Sequence, residues 1–338
     1  MTLVGLSSRV TRKSRSNFYY AFLALPRARR EALYAVYAFC RIVDDIADLG
    51  TDAAAQRVGL AAWRRDIGRC YDDGAQPEHP IARQLAAAVR RFSLPRTALE
   101  AIVDGCEMDL QRTTYETFDE LAPYCYRVAS AVGLCCIEIF GYTDPSARDY
   151  AVSLGMALQL TNIIRDVGVD ARNGRVYVPQ QDLQKFGVTG DDLRAGRYGD
   201  DFVRLMAFQA ARAREYYAKA WASFPTADAR ALVPAEIMGR IYFALLAEIE
   251  ARRFRVFDER VTLSAPRKAA IAVRCWMNGM LAVRPSGRLA MRAALAVPGG
   301  APAASSRRAN VPSIMSVSVD PGHTQFTRMA GANSSASC

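Results

Sequence analysis

Histidine is almost absent from this chain: two occur among 338 residues, His79 next to a proline and His323 near the C-terminus. Catalysis through Ser-His-Asp triads, His-rich zinc sites or E-x-x-H di-iron bundles is therefore excluded. Eight cysteines are present, but no two form a C-x-x-C pair. Cys40, Cys70, Cys106, Cys125, Cys135, Cys136, Cys275 and Cys338 read instead as small core residues of a reduced compartment. No stretch of eighteen uncharged apolar residues occurs, which predicts no transmembrane helix, and the opening MTLVGLSSRVTRKSRS has no hydrophobic signal core. The expected location is cytoplasmic. Neither a G-x-G-x-x-G fingerprint nor a helix-turn-helix, zinc-finger or aromatic RNA-binding motif is evident. No nicotinamide cofactor and no nucleic-acid partner are expected.

What is present is helical. Hydrophobic residues make up 51%, enough for a large core at this length. Long stretches carry helical periodicity broken by short Gly, Pro and Asp punctuation, with no solenoid-length repeat, so the pattern predicts an all-α fold. Helices are expected over 26–50, 53–73 and 78–92, from Pro95 through Asp109, from Phe118, from Asp144 to Asn173, and over 201–224, 234–254 and 266–283. The net charge is +10, and five arginines against the single acid Asp320 lie beyond residue 285. The excess by itself suits anionic substrates, acidic lipid or nucleic acid alike, and the missing nucleic-acid motifs rank the last of these lowest. Residues 1–15 read as a flexible start, and residues 286–338, rich in Ala, Ser, Gly, Pro and Arg, as a basic, largely disordered tail.

Two helices break the usual charge rule. In GMALQLTNIIRDVGVDARNGRVYVP, Gly155 to Pro179, the residues Asn162, Asp166 and Asp170 recur every four positions and form one polar stripe on an apolar helix. In PRARREALYAVYAFCRIVDDIADLG, Pro26 to Gly50, the acids Asp44, Asp45 and Asp48 crowd the last turns, with Asp44 and Asp48 on one face. Like charges at i,i+4 and carboxylates at a helix C-terminus each cost about 0.3–1 kcal/mol. A bound cation removes both penalties. Either cluster alone also fits a solvated helix end; two built alike point to function. With histidine so scarce, carboxylates favour a hard, oxygen-loving ion such as magnesium. Arg165 and Arg175 offer planar forks for phosphate oxygens, or serve as ordinary partners of Asp166 and Asp170. Asp104, Glu107 and Asp109 read as a solvated face. The small residues of YCYRVASAVG, 124–133, permit close packing or leave room for an elongated ligand, and Tyr124, Val128 and Val132 share a face.

The segments VDDIAD at 43–48, YCYRVASAVG at 124–133 and NIIRDVGVDARNGRVYVP at 162–179 together resemble the squalene/phytoene synthase family of head-to-head prenyltransferases. The resemblance covers roughly residues 16–285, which it marks as one catalytic domain. FYYAF at 18–22, GCEMDL at 105–110 and ERV at 259–261 are most similar to bacterial presqualene diphosphate synthases, with phytoene synthases as rivals. The resemblance implies an isoprenoid-synthase bundle with both acidic helices facing across a deep apolar cavity. It assigns Asp44, Asp48, Asp166 and Asp170, with Asn162, to two or three magnesium ions, manganese being an alternative. Arg41, Arg165, Arg175 and Arg260, with Asn162, contact substrate diphosphate; Phe18, Phe22, Val128, Val132 and Gln159 line the cavity; and Tyr124 takes part in rearrangement or proton handling. Asn17 departs from the serine that relatives often carry.

The expected activity is condensation of two farnesyl diphosphates to presqualene diphosphate. Formation of phytoene from two geranylgeranyl diphosphates is the alternative, and a scaffold that has lost catalysis or a lipid carrier are the non-enzymatic ones. The 266–283 helix places Arg267 and Arg274 on one face beside Ile271, Trp276, Met277 and Met280, so peripheral contact with anionic lipid at the inner face of the membrane is also expected. The competing reading is that this helix packs on the domain. The oligomeric state is left open.

Overall fold

Prolines stand at the starts of most of the long helices, where their missing N–H is not needed. The computed structural model describes residues 25–281 apart from Thr51, and among them no strand occurs. The helices are α1 (Arg27–Leu49), α2 (Ala53–Cys70), α3 (Pro80–Phe92), α4 (Arg96–Gln111), α5 (Phe118–Cys125), α6 (Ala131–Phe140), α7 (Ser146–Arg172), α8 (Gln180–Lys185), α9 (Gly190–Arg194), α10 (Asp200–Ala222), α11 (Val233–Ala251) and α12 (Ala265–Leu281). A π-helical segment, Tyr126–Ser130, joins α5 to α6. Pro26, Pro95 and Pro145 precede α1, α4 and α7, Pro80 opens α3, and Pro234 lies in the first turn of α11. Every long helix expected from periodicity is present, with ends within about three residues. The short α8 and α9 and the π segment were not expected.

The central helix is α7. Its entry is fixed by Asp228, which accepts hydrogen bonds from the backbone N–H of Thr143 and Asp144, both at 2.9 Å. Its exit is made by Asn173 and by Gly174 at φ +84°, a left-handed turn that suits glycine. Between these ends α7 packs on α10, α6, α11 and the π segment. The approach to the π segment is very close: a Cβ on Gly155 would lie 2.5 Å from the Ser130 Cα, and the Ser130 hydroxyl donates to the Val152 carbonyl at 2.8 Å. Of the two roles open to the small residues at 124–133, close packing is realised at Ser130, while Ala129 and Gly133 line the internal cavity.

His79 has a structural part. Its Nδ1 accepts from the Ile81 N–H at 3.1 Å and caps α3, and its ring lies against Trp63. All seven described cysteines are free thiols, and Cys70, Cys106, Cys125, Cys135 and Cys275 are buried, in line with a core role. One continuous helical stretch, Phe118–Phe140, is long and apolar enough to cross a membrane, although no run of eighteen uncharged residues marks it. Half of it is buried within the protein, and Tyr124, Val128 and Val132 line an internal cavity. Its apolarity is that of a core helix. Packing of α12 on α11 includes Gly279, beside Val233, and its Cys275 is buried, while Val273, Trp276, Met277 and Met280 are roughly half exposed.

Candidate active site

The acidic stripes line a shared cavity of about 730 Å³. On α1 the residues facing it are Leu33, Val36, Tyr37 and Cys40, then Arg41, Asp44 and Asp48. The spacing of three and four is that of one helix face. On α7 the same progression appears: Leu154, Gly155 and Leu158 give way to Gln159, Asn162, Asp166 and Asp170. Both helices thus run from apolar to acidic along the cavity. Arg175 joins their acidic ends, donating to the Asp48 carboxylate and, at 3.5 Å, to the Ala47 carbonyl. The turn that carries Arg175 is clipped in place by the 113–116 segment, since the Val176 N–H donates to the Thr113 carbonyl at 2.8 Å and the Gln180 N–H to the Tyr115 carbonyl at 2.9 Å.

Every site residue expected from sequence that lies among the described residues lines this cavity: Asp44, Asp48, Tyr124, Asn162, Asp166, Asp170, Arg41, Arg165, Arg175, Arg260, Val128, Val132 and Gln159. Phe18 and Phe22, like Asn17, lie outside the described residues, as do the tail and the first fifteen residues. The arginine pairing differs from the simple expectation. Arg165, 8% exposed, is an ion-pair partner of Asp166, with Nε 2.8 Å from Oδ1. Arg260 adds a second fork on the same carboxylate, both contacts at 3.1 Å. Arg175 pairs with Asp48 on the other acidic helix, not with Asp166 or Asp170. Arg41 lies against Asp45 at 2.6 Å and Asp44 at 3.4 Å.

These pairings divide the acids electrostatically. Burial pushes the Asp166 carboxyl up, but the two arginine forks more than offset it and hold the group below the usual range. Asp170 has no such fork, so burial, with the Asp166 charge adding to it, pushes it up to about 7. Burial and the neighbouring Asp48 push Asp44 up to about 6. The repulsion expected along α7 therefore falls on Asp170. Asn162 Oδ1 is buried and accepts no hydrogen bond within the protein. Among the described residues no three His, Cys, Asp or Glu side chains gather into a metal cage. Carboxylates in pairs, with an unused amide oxygen, suit an ion that completes its shell with water and substrate oxygens, which is how magnesium is usually held.

Asp109 does not belong to the solvated face expected for it. Asp104 and Glu107 do form a partly exposed face, both paired with Arg64. Asp109 instead lines the cavity and accepts from the Tyr177 hydroxyl at 2.8 Å and the Tyr124 hydroxyl at 3.0 Å. A signal was available, because five residues along a helix turn a side chain about 140° from Asp104. Tyr177, Tyr242 and Lys268 are further polar lining residues that periodicity did not single out. Burial, with the Arg165 charge nearby, holds the Lys268 ammonium below its usual range.

A cavity that is apolar along one part and lined with acids and arginines along the other suits an amphiphile with a polyanionic head. Residues 11–267 match the family model described as squalene/phytoene synthase. The chain belongs to the squalene/phytoene synthase family. Its relatives in that family include the phytoene synthase of Mycobacterium tuberculosis, 37% identical over 270 residues, covering 79% of this chain and 88% of the relative. The presqualene diphosphate synthase of Rhodopseudomonas palustris is 38% identical over 262 residues, covering 77% and 92%. Among solved structures, a dehydrosqualene synthase in complex with ligand superposes with a TM-score of 0.74 at 28% identity, covering 82% of this chain and 96% of that one. The squalene/phytoene synthase assignment makes this an all-α isoprenoid-synthase fold and the protein a prenyltransferase.

Proposed function

We propose that this protein joins two farnesyl diphosphates head to head, with magnesium, to give presqualene diphosphate and one free diphosphate. The observation that carries the reading is the lengthwise polarity of the cavity, with both acidic rows at one end of a shared apolar chamber. Magnesium, held by Asp44, Asp48, Asn162, Asp166 and Asp170, supplies charge neutralisation of a leaving diphosphate. The chain's own residues do the rest. Arg41, Arg165, Arg175 and Arg260, now paired with carboxylates, exchange those partners for diphosphate oxygens, leaving the carboxylates free to meet the cation. The allylic C–O bond ionises with its electron pair leaving on the diphosphate. The alkene of the second substrate then attacks the allylic carbon, and loss of a proton closes the cyclopropane. Val128, Val132, Leu154, Leu158 and Met238 surround the chains and keep water from quenching the cation.

A second reading, phytoene formation from two geranylgeranyl diphosphates, has comparable support from the relatives, because identity to the phytoene synthase and to the presqualene diphosphate synthase is nearly equal. The two are separated by giving the purified protein each diphosphate alone, with magnesium and no reductant, and identifying products by mass. A C30 cyclopropyl diphosphate from farnesyl diphosphate is the expected result. A C40 hydrocarbon formed only from geranylgeranyl diphosphate overturns it in favour of phytoene.

A further inference from the structure

Beside the acidic rows the cavity wall holds a further polar group whose function the reaction above leaves unassigned. Asp109, near the end of α4, takes one tyrosine hydroxyl on each carboxylate oxygen: Tyr177 on Oδ1 at 2.8 Å and Tyr124 on Oδ2 at 3.0 Å. The two hydroxyls are themselves 3.2 Å apart, so three oxygen-bearing groups close a small ring. The phenol rings are stacked, 5.0 Å between centroids and 15° between planes, with Tyr115 against both. Tyr124 is 5% exposed and Tyr177 8%, and both face the cavity. This ring is held from three directions, by α4, by α5 and by the clipped turn after α7. Its tyrosines are stiff, and both hydroxyls are placed to donate to Asp109.

That geometry bears on where a proton lost by the substrate can go. A phenol whose hydrogen is committed to a carboxylate presents only its oxygen lone pairs to the cavity. It accepts a proton at no charge penalty if its own proton passes to that carboxylate in the same event. Acting alone as a phenolate is unfavourable, because burial and the adjacent Asp109 charge push the Tyr124 hydroxyl well above its usual range. Burial, opposed by Arg175 and the two tyrosine hydrogen bonds, pushes the Asp109 carboxyl up to about 6.

We propose that Asp109 is a positioning residue through which Tyr124 accepts the proton released when the new carbon–carbon bond closes, the Tyr124 hydroxyl proton moving to Asp109 Oδ2. The proposal rests on the head-to-head reading of the cavity. In the step, a C–H bond of the coupled carbocation breaks and its electron pair forms the closing bond. The proton joins the Tyr124 oxygen, and the existing Tyr124 O–H bond breaks toward Asp109. A cation and a carboxylate become a neutral hydrocarbon centre and a carboxylic acid, so charge and atoms balance without a further reagent. Tyr177 remains bonded to Asp109 Oδ1 throughout and keeps the carboxylate aligned.

The test compares wild type, Asp109→Asn, Asp109→Glu and Tyr177→Phe, all as full chains, for diphosphate released and for coupled product in one turnover. Positioned proton transfer contributes about 100-fold or more. Asp109→Asn is expected to lower coupled product about 100-fold while diphosphate release falls less than tenfold, the diverted cation appearing as prenyl alcohols and elimination products. Asp109→Glu should restore part of the coupled product, and Tyr177→Phe should lose less than Asp109→Asn. A parallel fall of diphosphate release and coupling in Asp109→Asn, or no shift toward alcohols, overturns the relay. Absence of coupled product from the wild type with every prenyl diphosphate overturns instead the reading of the cavity on which the relay rests.

Discussion

Replacing Asp170 with asparagine should stabilise the ligand-free protein while removing its activity. Folding moves this carboxyl from about 4 in an unfolded chain to about 7, through burial first and the Asp166 charge second. Three units correspond to a ceiling of about 4 kcal/mol; because the side chain is only partly buried, screening reduces the expectation to about 1–2 kcal/mol. A raised carboxyl favours folding when protonated, so its contribution is complete below about pH 4 and is lost as pH rises through about 7. Asparagine has no charge to lose. Its melting temperature should therefore match that of the wild type near pH 4 and exceed it by roughly 1–3 °C at pH 8, for a chain of this size. The assay is thermal unfolding across that pH range with chelator present. A variant that melts with or below the wild type at pH 8 would refute the reasoning, since it would mean that Asp170 carries no uncompensated charge. Adding magnesium with inorganic diphosphate should then raise the wild type but not the variant.

Asp44→Asn and Asp166→Asn should both abolish turnover yet differ in stability, because Asp166 neutralises the buried Arg165. Asp166→Asn should lose about 1–3 kcal/mol in urea unfolding, and equal stability of the two variants would contradict the pairing. Gly155→Ala should destabilise by about 1–3 kcal/mol, since its Cβ meets Ser130 backbone 2.5 Å away, and a neutral result would mean that α7 and the π segment are less tightly apposed. The exposed Val273, Trp276, Met277 and Met280 of α12 predict flotation with anionic vesicles that falls when Trp276 and Met277 are both changed to glutamate. An unchanged bound fraction removes α12 from membrane contact.

The helices and the two acidic rows were legible because each is a local signal. Pro26 and Gly50 bracket α1, and the four-residue spacing of Asn162, Asp166 and Asp170 survives in the structure as one face of α7. Arg175 shows the limit of local reading. Its partner Asp48 lies 127 positions away, and neighbouring residues favour the wrong pairing with Asp166 or Asp170. Asp109 was misread for the same reason, since its partners Tyr124 and Tyr177 come from two other segments and its α4 neighbours Asp104 and Glu107 are ordinary surface acids. The helices α8 and α9, six and five residues long, are too short for an apolar period to repeat. Their placement depends on tertiary contacts, such as Asp182 on α8 bonded to Gln209 and Arg212 on α10.

On the proposed function, the two acidic rows ionise a prenyl diphosphate so that its carbon is captured by a second chain. The most direct measurement is the amount of free diphosphate released per molecule of coupled product from farnesyl diphosphate, with and without magnesium. A reaction that stops at the cyclopropyl diphosphate releases one diphosphate per product and none when magnesium is chelated. Two per product would show that the reaction proceeds past that intermediate, and diphosphate release without any coupled product, or release that ignores magnesium, would contradict the account.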